Sequence, residues 1–185
     1  MKRFCCDGPD NWSSRMPESH YVTRNKRQQG GPSIQVWGAL LPGPYLFVLE
    51  LPPRGNSQNF LHFLEEQVFP HIKALLGDNF IMQQDNCSVH NSVETQDRLA
   101  ELGIETLKCP ARSPDLNIIE NCWSMMTQII YEGRQYDNKE QLWAAIQDSV
   151  DELNLNRRDK LQALFDSIPR RFLEVIEKKG GLTHY

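Results

Sequence analysis

Residues 81–90, IMQQDNCSVH, place a carboxylate just after a short apolar run and surround it with polar side chains. The apolar residues Ile81 and Met82 favour a short buried strand that ends close to Asp85. In α/β sheets, functional sites usually lie at the carboxyl ends of the strands. Asp85 is therefore the first candidate for a site residue, although an acid at this position is also typical of a helix cap or a turn.

The segments before this stretch predict strands followed by a helix. KRFCC (2–6), SIQVWGALL (33–41) and YLFVLEL (45–51) contain many β-branched and aromatic residues, and PGP separates the last two. From residue 57 the apolar residues recur at helical spacing, in a helix that Pro70 would make irregular.

The segments after Asp85 predict a helix, a strand and then a helical remainder. SVETQDRLAELG (92–103) has helical spacing, and IETLKC (104–109) is a short strand candidate. After the loop PARSPDLN (110–117), apolar residues recur every three to four positions in segments 118–131, 138–153 and 158–179. The order of elements predicts an α/β fold with a helical carboxyl-terminal part.

Glu120 is the second candidate for a site residue. It falls in the first turns of the helix that follows the loop, and 34 residues separate it from Asp85. That length accommodates a helix, a strand and a loop, so both carboxylates could meet at one sheet edge. Hard cations such as Mg²⁺ bind carboxylate oxygens, but a glutamate in a first helical turn also complements the helix dipole without binding any ion.

Composition limits the class of protein. The 185 residues suit a single domain, residues 1–185, and contain neither a long apolar run that could span a bilayer nor a signal peptide. Five cysteines without repeated CxxC spacing predict reduced thiols. Cys87 and His90 have the spacing of half a zinc site, but no second pair follows, so the sequence does not favour zinc.

Charge is unevenly distributed. The net charge is −4, with about +3 in residues 1–60 and about −7 in residues 61–185. The basic side chains are either solvated faces or phosphate contacts, and they cluster at Arg24/Lys26/Arg27, Arg157/Arg158/Lys160, Arg170/Arg171 and Lys178/Lys179.

Several longer motifs together resemble the catalytic domain of the Tc/mariner superfamily of DNA transposases. They are KRFCCDGPDNW, GGPSIQVWGA, NFLHFLEEQVFPHI, QQDNCSVH, CPARSPDLNIIENCW, EGRQYDNKEQL and VIEKKGGLTHY, in that order along essentially the whole chain. The resemblance implies an RNase H-like fold, which is a mixed sheet flanked by helices. It also implies a D-D-E site, in which three carboxylates bind two divalent ions, Mg²⁺ or Mn²⁺, and activate water or a DNA 3′-hydroxyl to attack a phosphodiester. Asp85 matches the second acid and Glu120 the third.

Residues near the two matched acids carry further expectations. Asn86 and His90 flank the second acid, where they either orient water or phosphate or serve packing and hydrogen bonding. Ile118 stands where the family usually has proline, a departure that a helix start should tolerate. Asp115 and Asn117 are expected to act as cap and loop residues. Trp37 and Trp123 sit in apolar runs and are expected to belong to the core.

The first acid of the family pattern has no counterpart. In similar proteins Asp-Glu precedes the lysine that matches Lys2, whereas Met1 stands at the position of the Glu. Asp7 and Asp10 lie in a turn beyond the strand and are not expected to replace it. We also expect the first strand to lack its first half, and the family's helix-turn-helix region to be absent.

Two hypotheses follow. In the first, the chain is a transposase catalytic domain by descent, and it is either a truncated copy or a sequence that begins at an internal methionine. Such a chain is expected to bind Mg²⁺ or Mn²⁺ weakly and not to cleave DNA. Alternatively it is a non-catalytic remnant, or a module that binds nucleic acid or protein. The resemblance implies DNA as partner, a nuclear location and a homodimer that pairs two transposon ends, although much of that contact uses the amino-terminal region, so a stable dimer is not expected. No membrane, small-molecule substrate or organic cofactor is expected.

Overall fold

The computed structural model describes residues 1–6, 32–52, 57–85, 87–107, 110, 113–181 and 183–184. Its strands are β1 (Lys2–Cys5), β2 (Ser33–Leu41), β3 (Tyr45–Glu50), β4 (Ile81–Gln83) and β5 (Glu105–Leu107). Its helices are α1 (Ser57–Phe63), α2 (Phe69–Leu76), α3 (Val93–Glu101), α4 (Ile119–Tyr131), α5 (Lys139–Asn156) and α6 (Arg158–Glu177). This order of elements is the one that the apolar periodicity predicts.

The strands of the described residues form two sheets. Strand β2 lies between β1 and β3 in an antiparallel sheet, whereas β4 and β5 form a parallel pair. The single mixed sheet that was expected is therefore divided. The register of β1 with β2 runs from Lys2 opposite Val36 to Cys5 opposite Ser33. It does not reach alongside Trp37–Leu41, and no strand of the described part links β2 to β4.

Each face of the three-stranded sheet packs against helices. On one face, β1, β2 and β3 contribute Phe4, Val36 and Leu46 to a buried cluster with residues of α4, α5 and α6. The opposite face contributes Trp37 and Leu41 to a second cluster with residues of α1, α2 and α3. The sheet is thus the middle of three layers.

The two tryptophans that were expected in the core are buried there. Trp37 is 8% exposed and Trp123 is 1% exposed. Trp123 of α4 packs onto β2 at Gly38, where a Cβ atom would lie 2.5 Å from Cη2 of the indole. Glycine at this position therefore sets how closely α4 approaches the sheet.

The irregularity expected at Pro70 takes the form of a π-helical segment, Leu64–Val68, that joins α1 to α2. Pro70 is the second residue of α2. Proline lacks an N–H group and cannot close an ordinary helical hydrogen bond, and the wider π turn lies directly before it. None of the helices in the described ranges is long and apolar enough to cross a membrane.

Candidate active site

Strand β4 and the start of α4 meet through a side chain at the end of the strand. Gln83 Nε2 donates a hydrogen bond of 2.9 Å to the carbonyl oxygen of Leu116. Asp85 follows Gln83 by two residues, and Glu120 follows Leu116 by four. The hydrogen bond therefore brings the two segments that carry the candidate carboxylates to the same edge of the β4–β5 sheet.

A cavity of about 650 Å³ opens at this edge. Its polar wall contains Asp85 and His90, and Asn117, Ile118 and Ile119 line it just before Glu120. Most of the remaining wall is apolar, from the strand β2, the helices α1 and α2 and the residues around β4. Met1 also lines the cavity, so the amino end of β1 lies near Asp85.

The Asp85 carboxylate is ionised and open to solvent. Its Oδ1 lies 2.6 Å from Nδ1 of His90 and accepts a hydrogen bond of 3.2 Å from the backbone N–H of Cys87. The hydrogen bond from His90 is the largest cause that lowers the pKa of Asp85, to about 2, against the opposing effect of burial. The charge of His90, the Cys87 N–H and, least, the amino group of Met1 also lower it. Because 46% of the side chain is exposed, this carboxylate can bind a cation that arrives from solvent.

His90 is held in a fixed position beside Asp85. The residue is 4% exposed, and its ring lies 5.0 Å from the ring of Phe60, at an angle of 33°. Its carbonyl oxygen accepts a hydrogen bond of 2.7 Å from Gln96 Nε2. Among the described residues, its Nε2 is buried and has no hydrogen-bond partner. The structure thus gives His90 a packing contact and a contact with Asp85. Any role in orienting water or phosphate stays a prediction, and Asn86 lies outside the described residues.

Glu120 lies in the first turn of α4 and is exposed. Its backbone N–H donates to the Asn117 carbonyl oxygen over 3.1 Å, which closes the turn that starts the helix. Ile118, at the position where the family usually has proline, precedes the first residue of α4 and is 6% exposed. The helix start tolerates this departure. Metal binding and dipole complementation both stay predictions for Glu120.

The loop before α4 is fixed by a buried arginine. Arg171 of α6 is 2% exposed and donates to the Asp115 carbonyl oxygen over 2.6 Å and to Asn121 Oδ1 over 3.0 Å. Asp115 Oδ2 in turn accepts a 2.9 Å hydrogen bond from the Thr183 N–H. Asp115 therefore acts in the loop as expected, whereas Arg171 is neither a solvated charge nor a phosphate contact.

Some side chains of the other basic clusters form ion pairs or hydrogen bonds within the protein. Arg157 pairs with Glu152 at 3.0 Å, and Lys178 pairs with Glu174 at 2.5 Å. Arg158 donates to the Gly43 carbonyl oxygen. The cluster Arg24/Lys26/Arg27 lies outside the described residues, as do Asp7 and Asp10.

Sequence reasoning missed one member of this site. Ligand atoms of Asp85, Cys87 and His90 all lie within 4.8 Å of one another. The sequence shows the CxxH spacing of Cys87 and His90, but without a second pair of ligand residues this spacing does not favour a metal site. The missing signal was the aspartate two residues before the cysteine, because the turn that follows β4 brings all three side chains together.

The residues of the site fit a divalent ion. The exposed, ionised Asp85 and the exposed Glu120 offer the oxygen ligands that Mg²⁺ and Mn²⁺ prefer. The low pKa of Asp85 keeps this ligand deprotonated at neutral pH, as metal binding requires.

Curated proteins with similar sequences are transposases. The chain is 31% identical to the transposable element Tc3 transposase of Caenorhabditis elegans over 189 residues, which cover 100% of this chain and 56% of that protein. It is 28% identical to the Tc1 transposase of the same organism over 194 residues, which cover 98% of this chain and 66% of that protein. The chain thus spans 56% of the length of the first relative and 66% of the length of the second.

Solved structures share the fold. The Mos1 transposase paired-end complex with left transposon end matches 98% of this chain and 54% of its own, with a TM-score of 0.72 and 17% identity. The Mos1 strand transfer complex matches 99% of this chain and 54% of its own, with a TM-score of 0.68 and 18% identity. These similarities confirm the predicted RNase H-like α/β fold. Residues 13–143 match the family described as "DDE superfamily endonuclease", and the chain therefore belongs to this family, as a DDE domain of the Tc/mariner transposases.

Proposed function

We propose that this chain is the catalytic domain of a DNA transposase that cleaves phosphodiester bonds and transfers strands with a divalent ion. One observation carries the proposal: the two acids that match the family pattern, Asp85 and Glu120, lie on segments that meet at the Gln83–Leu116 hydrogen bond. Family membership supports the class of reaction and the use of a divalent metal. The substrate is DNA, as the names of the relatives suggest.

Asp85 and Glu120 would hold Mg²⁺ or Mn²⁺. When bound, such an ion acts as a Lewis acid and activates a water or hydroxyl nucleophile. His90 contributes by hydrogen bonding to Oδ1 of Asp85, which holds this carboxylate ionised and fixes its orientation. Arg171 contributes at a distance, because its hydrogen bonds to Asp115 and Asn121 hold the loop and first turn around Glu120.

We further propose that the 185-residue polypeptide binds the ion weakly and does not cleave DNA by itself. The resemblance requires three carboxylates, and only two are matched in this chain. With one ligand fewer, a second ion would be poorly held, and the charge that develops at the phosphate would lose much of its stabilisation. The alternative hypothesis, a non-catalytic module that binds nucleic acid or protein, also predicts no DNA cleavage by this polypeptide.

Location and assembly complete the proposal. The protein would act in the nucleus on chromosomal DNA, and the homodimer that pairs two transposon ends would not form stably from this polypeptide. A mass of about twice 21.5 kDa in light scattering at micromolar concentration would contradict the second statement.

The test compares the chain with a version in which the pattern is completed. Met1→Glu, preceded by Asp and a new initiator methionine, restores the Asp-Glu pair before Lys2. Both proteins are incubated with labelled duplex DNA and Mg²⁺ or Mn²⁺, and nicking is measured on denaturing gels. We expect no nicking by the original polypeptide and metal-dependent nicking by the extended one.

A matched pair of glutamates separates metal binding from dipole complementation. Glu120 and Glu94 are both exposed and both occupy the second position of a helix. In the extended protein, Glu120→Gln should abolish nicking and Glu94→Gln should leave it unchanged. Equal effects of the two substitutions would refute the assignment of Glu120. Nicking by the original polypeptide that Glu120→Gln abolishes would refute its inactivity.

A further inference from the structure

The turn that follows β4 gathers three different metal-binding groups: the Asp85 carboxylate, the Cys87 thiol and the His90 imidazole. Their ligand atoms lie within 4.8 Å of one another. Three ligands around one tetrahedral zinc ion would be separated by about 3.5 Å, given bonds of about 2.0–2.3 Å. To reach that spacing the ligand atoms would have to approach one another by at most about 1.3 Å, through rotation of the exposed Asp85 and the half-buried Cys87 side chains.

We propose that these three residues form a site for a soft divalent ion of the zinc type, which shares Asp85 with the Asp85–Glu120 pair and adds Cys87 and His90. The donor set decides the class of ion. A thiolate and an imidazole favour Zn²⁺, whereas oxygen ligands favour Mg²⁺ and Mn²⁺. Three protein ligands leave a fourth position for water, as in open zinc sites.

The surroundings of the three residues suit a metal ligand. His90 is 4% exposed and packs against Phe60. Its side chain is therefore already ordered and would lose little conformational entropy when an ion binds. Asp85 already lies 2.6 Å from Nδ1 of His90. An ion would take the place of the hydrogen between these atoms, and the Cys87 thiol would lose its proton to become the thiolate ligand.

Asp85 belongs to both sites, so the two ions would compete for one carboxylate. A zinc ion held by Cys87 and His90 would take the Asp85 oxygen that now contacts His90. This consequence for catalysis rests on the proposed function, whereas the metal site itself does not, because its test measures binding alone.

Cobalt(II) is the spectroscopic probe for this site. The full chain, reduced with a phosphine, is titrated with Co²⁺, and absorption from thiolate-to-metal charge transfer is recorded. Zn²⁺ is then added, and its affinity is obtained from the loss of the cobalt signal. We expect one ion per chain, with a charge-transfer band that Zn²⁺ abolishes and excess Mg²⁺ does not.

Substitutions assign the ligands. Cys87→Ser should remove the charge-transfer band and weaken Zn²⁺ binding at least about tenfold, because even an outer partner of a metal ligand contributes about 10–100-fold. Cys5→Ser is the matched control: Cys5 is also a half-buried cysteine outside any disulfide, and its substitution should leave the band and the affinity unchanged. His90→Phe, which keeps a ring against Phe60, should weaken binding as Cys87→Ser does.

Three results would overturn the proposal. One is the absence of a thiolate band in the original chain, and another is equal zinc affinity of the original chain and Cys87→Ser. The third is loss of the band in Cys5→Ser, which would move the ion to the amino-terminal cysteines. Circular dichroism of each variant checks that it is folded, and His90→Phe tests the assignment if Cys87→Ser is unfolded.

Discussion

His90→Phe is the substitution that most directly tests how the Asp85 carboxylate is kept ionised. Phenylalanine preserves a ring beside Phe60 but removes the Nδ1 atom that lies 2.6 Å from Asp85 Oδ1. The hydrogen bond from His90 is the largest cause of the low pKa of Asp85. We therefore expect this pKa to rise from about 2 towards its ordinary value of 3.8.

The magnitude follows from that difference in pKa. A fall from 3.8 to about 2 corresponds to about 2.5 kcal/mol of folding free energy at about 1.4 kcal/mol per pKa unit. Since 46% of the Asp85 side chain is exposed, solvent screening reduces the expected contribution to about 1 kcal/mol. The folded-state pKa is the lower one, so this stabilisation is fully present above pH 4 and is lost as the pH falls towards 2.

Two measurements check the prediction. Carbon-13 NMR of the side-chain carboxyl follows the titration of Asp85, and urea unfolding gives the free energy of unfolding from pH 6 down to pH 2.5. The free energy of unfolding should be higher for the original chain than for His90→Phe. This difference should shrink by about 1 kcal/mol as the pH falls. His90→Asn, which keeps a neutral donor, should give an intermediate pKa. An Asp85 that still titrates near 2 in His90→Phe would refute the reasoning.

Three further predictions concern the framework of the site. Gly38→Ala should cost about 1–3 kcal/mol of unfolding free energy, because the new Cβ would lie 2.5 Å from Trp123 Cη2. Urea unfolding measures this cost, and an equal cost of Gly38→Ala in the original chain and in a Trp123→Phe variant would contradict the clash. Arg171→Met should cost about 2–3 kcal/mol by leaving buried oxygen atoms unpaired, and in the extended protein it should slow nicking; an unchanged midpoint of urea unfolding would contradict its role. Ser92→Ala should cost about 1 kcal/mol, because Ser92 Oγ accepts the Thr95 N–H at the start of α3; a loss below about 0.3 kcal/mol would exclude a capping contribution.

The order of elements was predictable because each depends on local periodicity. Strand β2 occupies residues 33–41 as the run SIQVWGALL predicts, and α4 occupies Ile119–Tyr131 where apolar residues recur at helical spacing. These patterns specify which faces are buried, and burial of those faces is the main stabilising term. The same patterns carry no information on which strands pair, so the division into two sheets could not be read from them.

The long-range contacts of the site were not predictable for a related reason. Arg171 lies 56 residues from Asp115, and neither residue carries a local signal that it will meet the other. A basic doublet on a helix is usually solvated, yet here one guanidinium of the doublet, that of Arg171, is buried and bonds to the loop before α4. Tertiary packing therefore decided the role of this residue.

Under the two proposals above, the Asp85 carboxylate in the turn after β4 would serve two kinds of ion. In the described part of the chain, both His90 and Cys87 contact the same oxygen of Asp85, Oδ1. The second oxygen, Oδ2, would then be the atom that remains for the hard ion proposed to be shared with Glu120. A hard ion at Oδ2 leaves the His90 hydrogen bond intact, whereas a soft ion bound by the Cys87 thiolate must replace it. The balance between the two states is therefore set by the hydrogen bond between Asp85 and His90, and strengthening that bond favours the site that the transposase fold would use for catalysis.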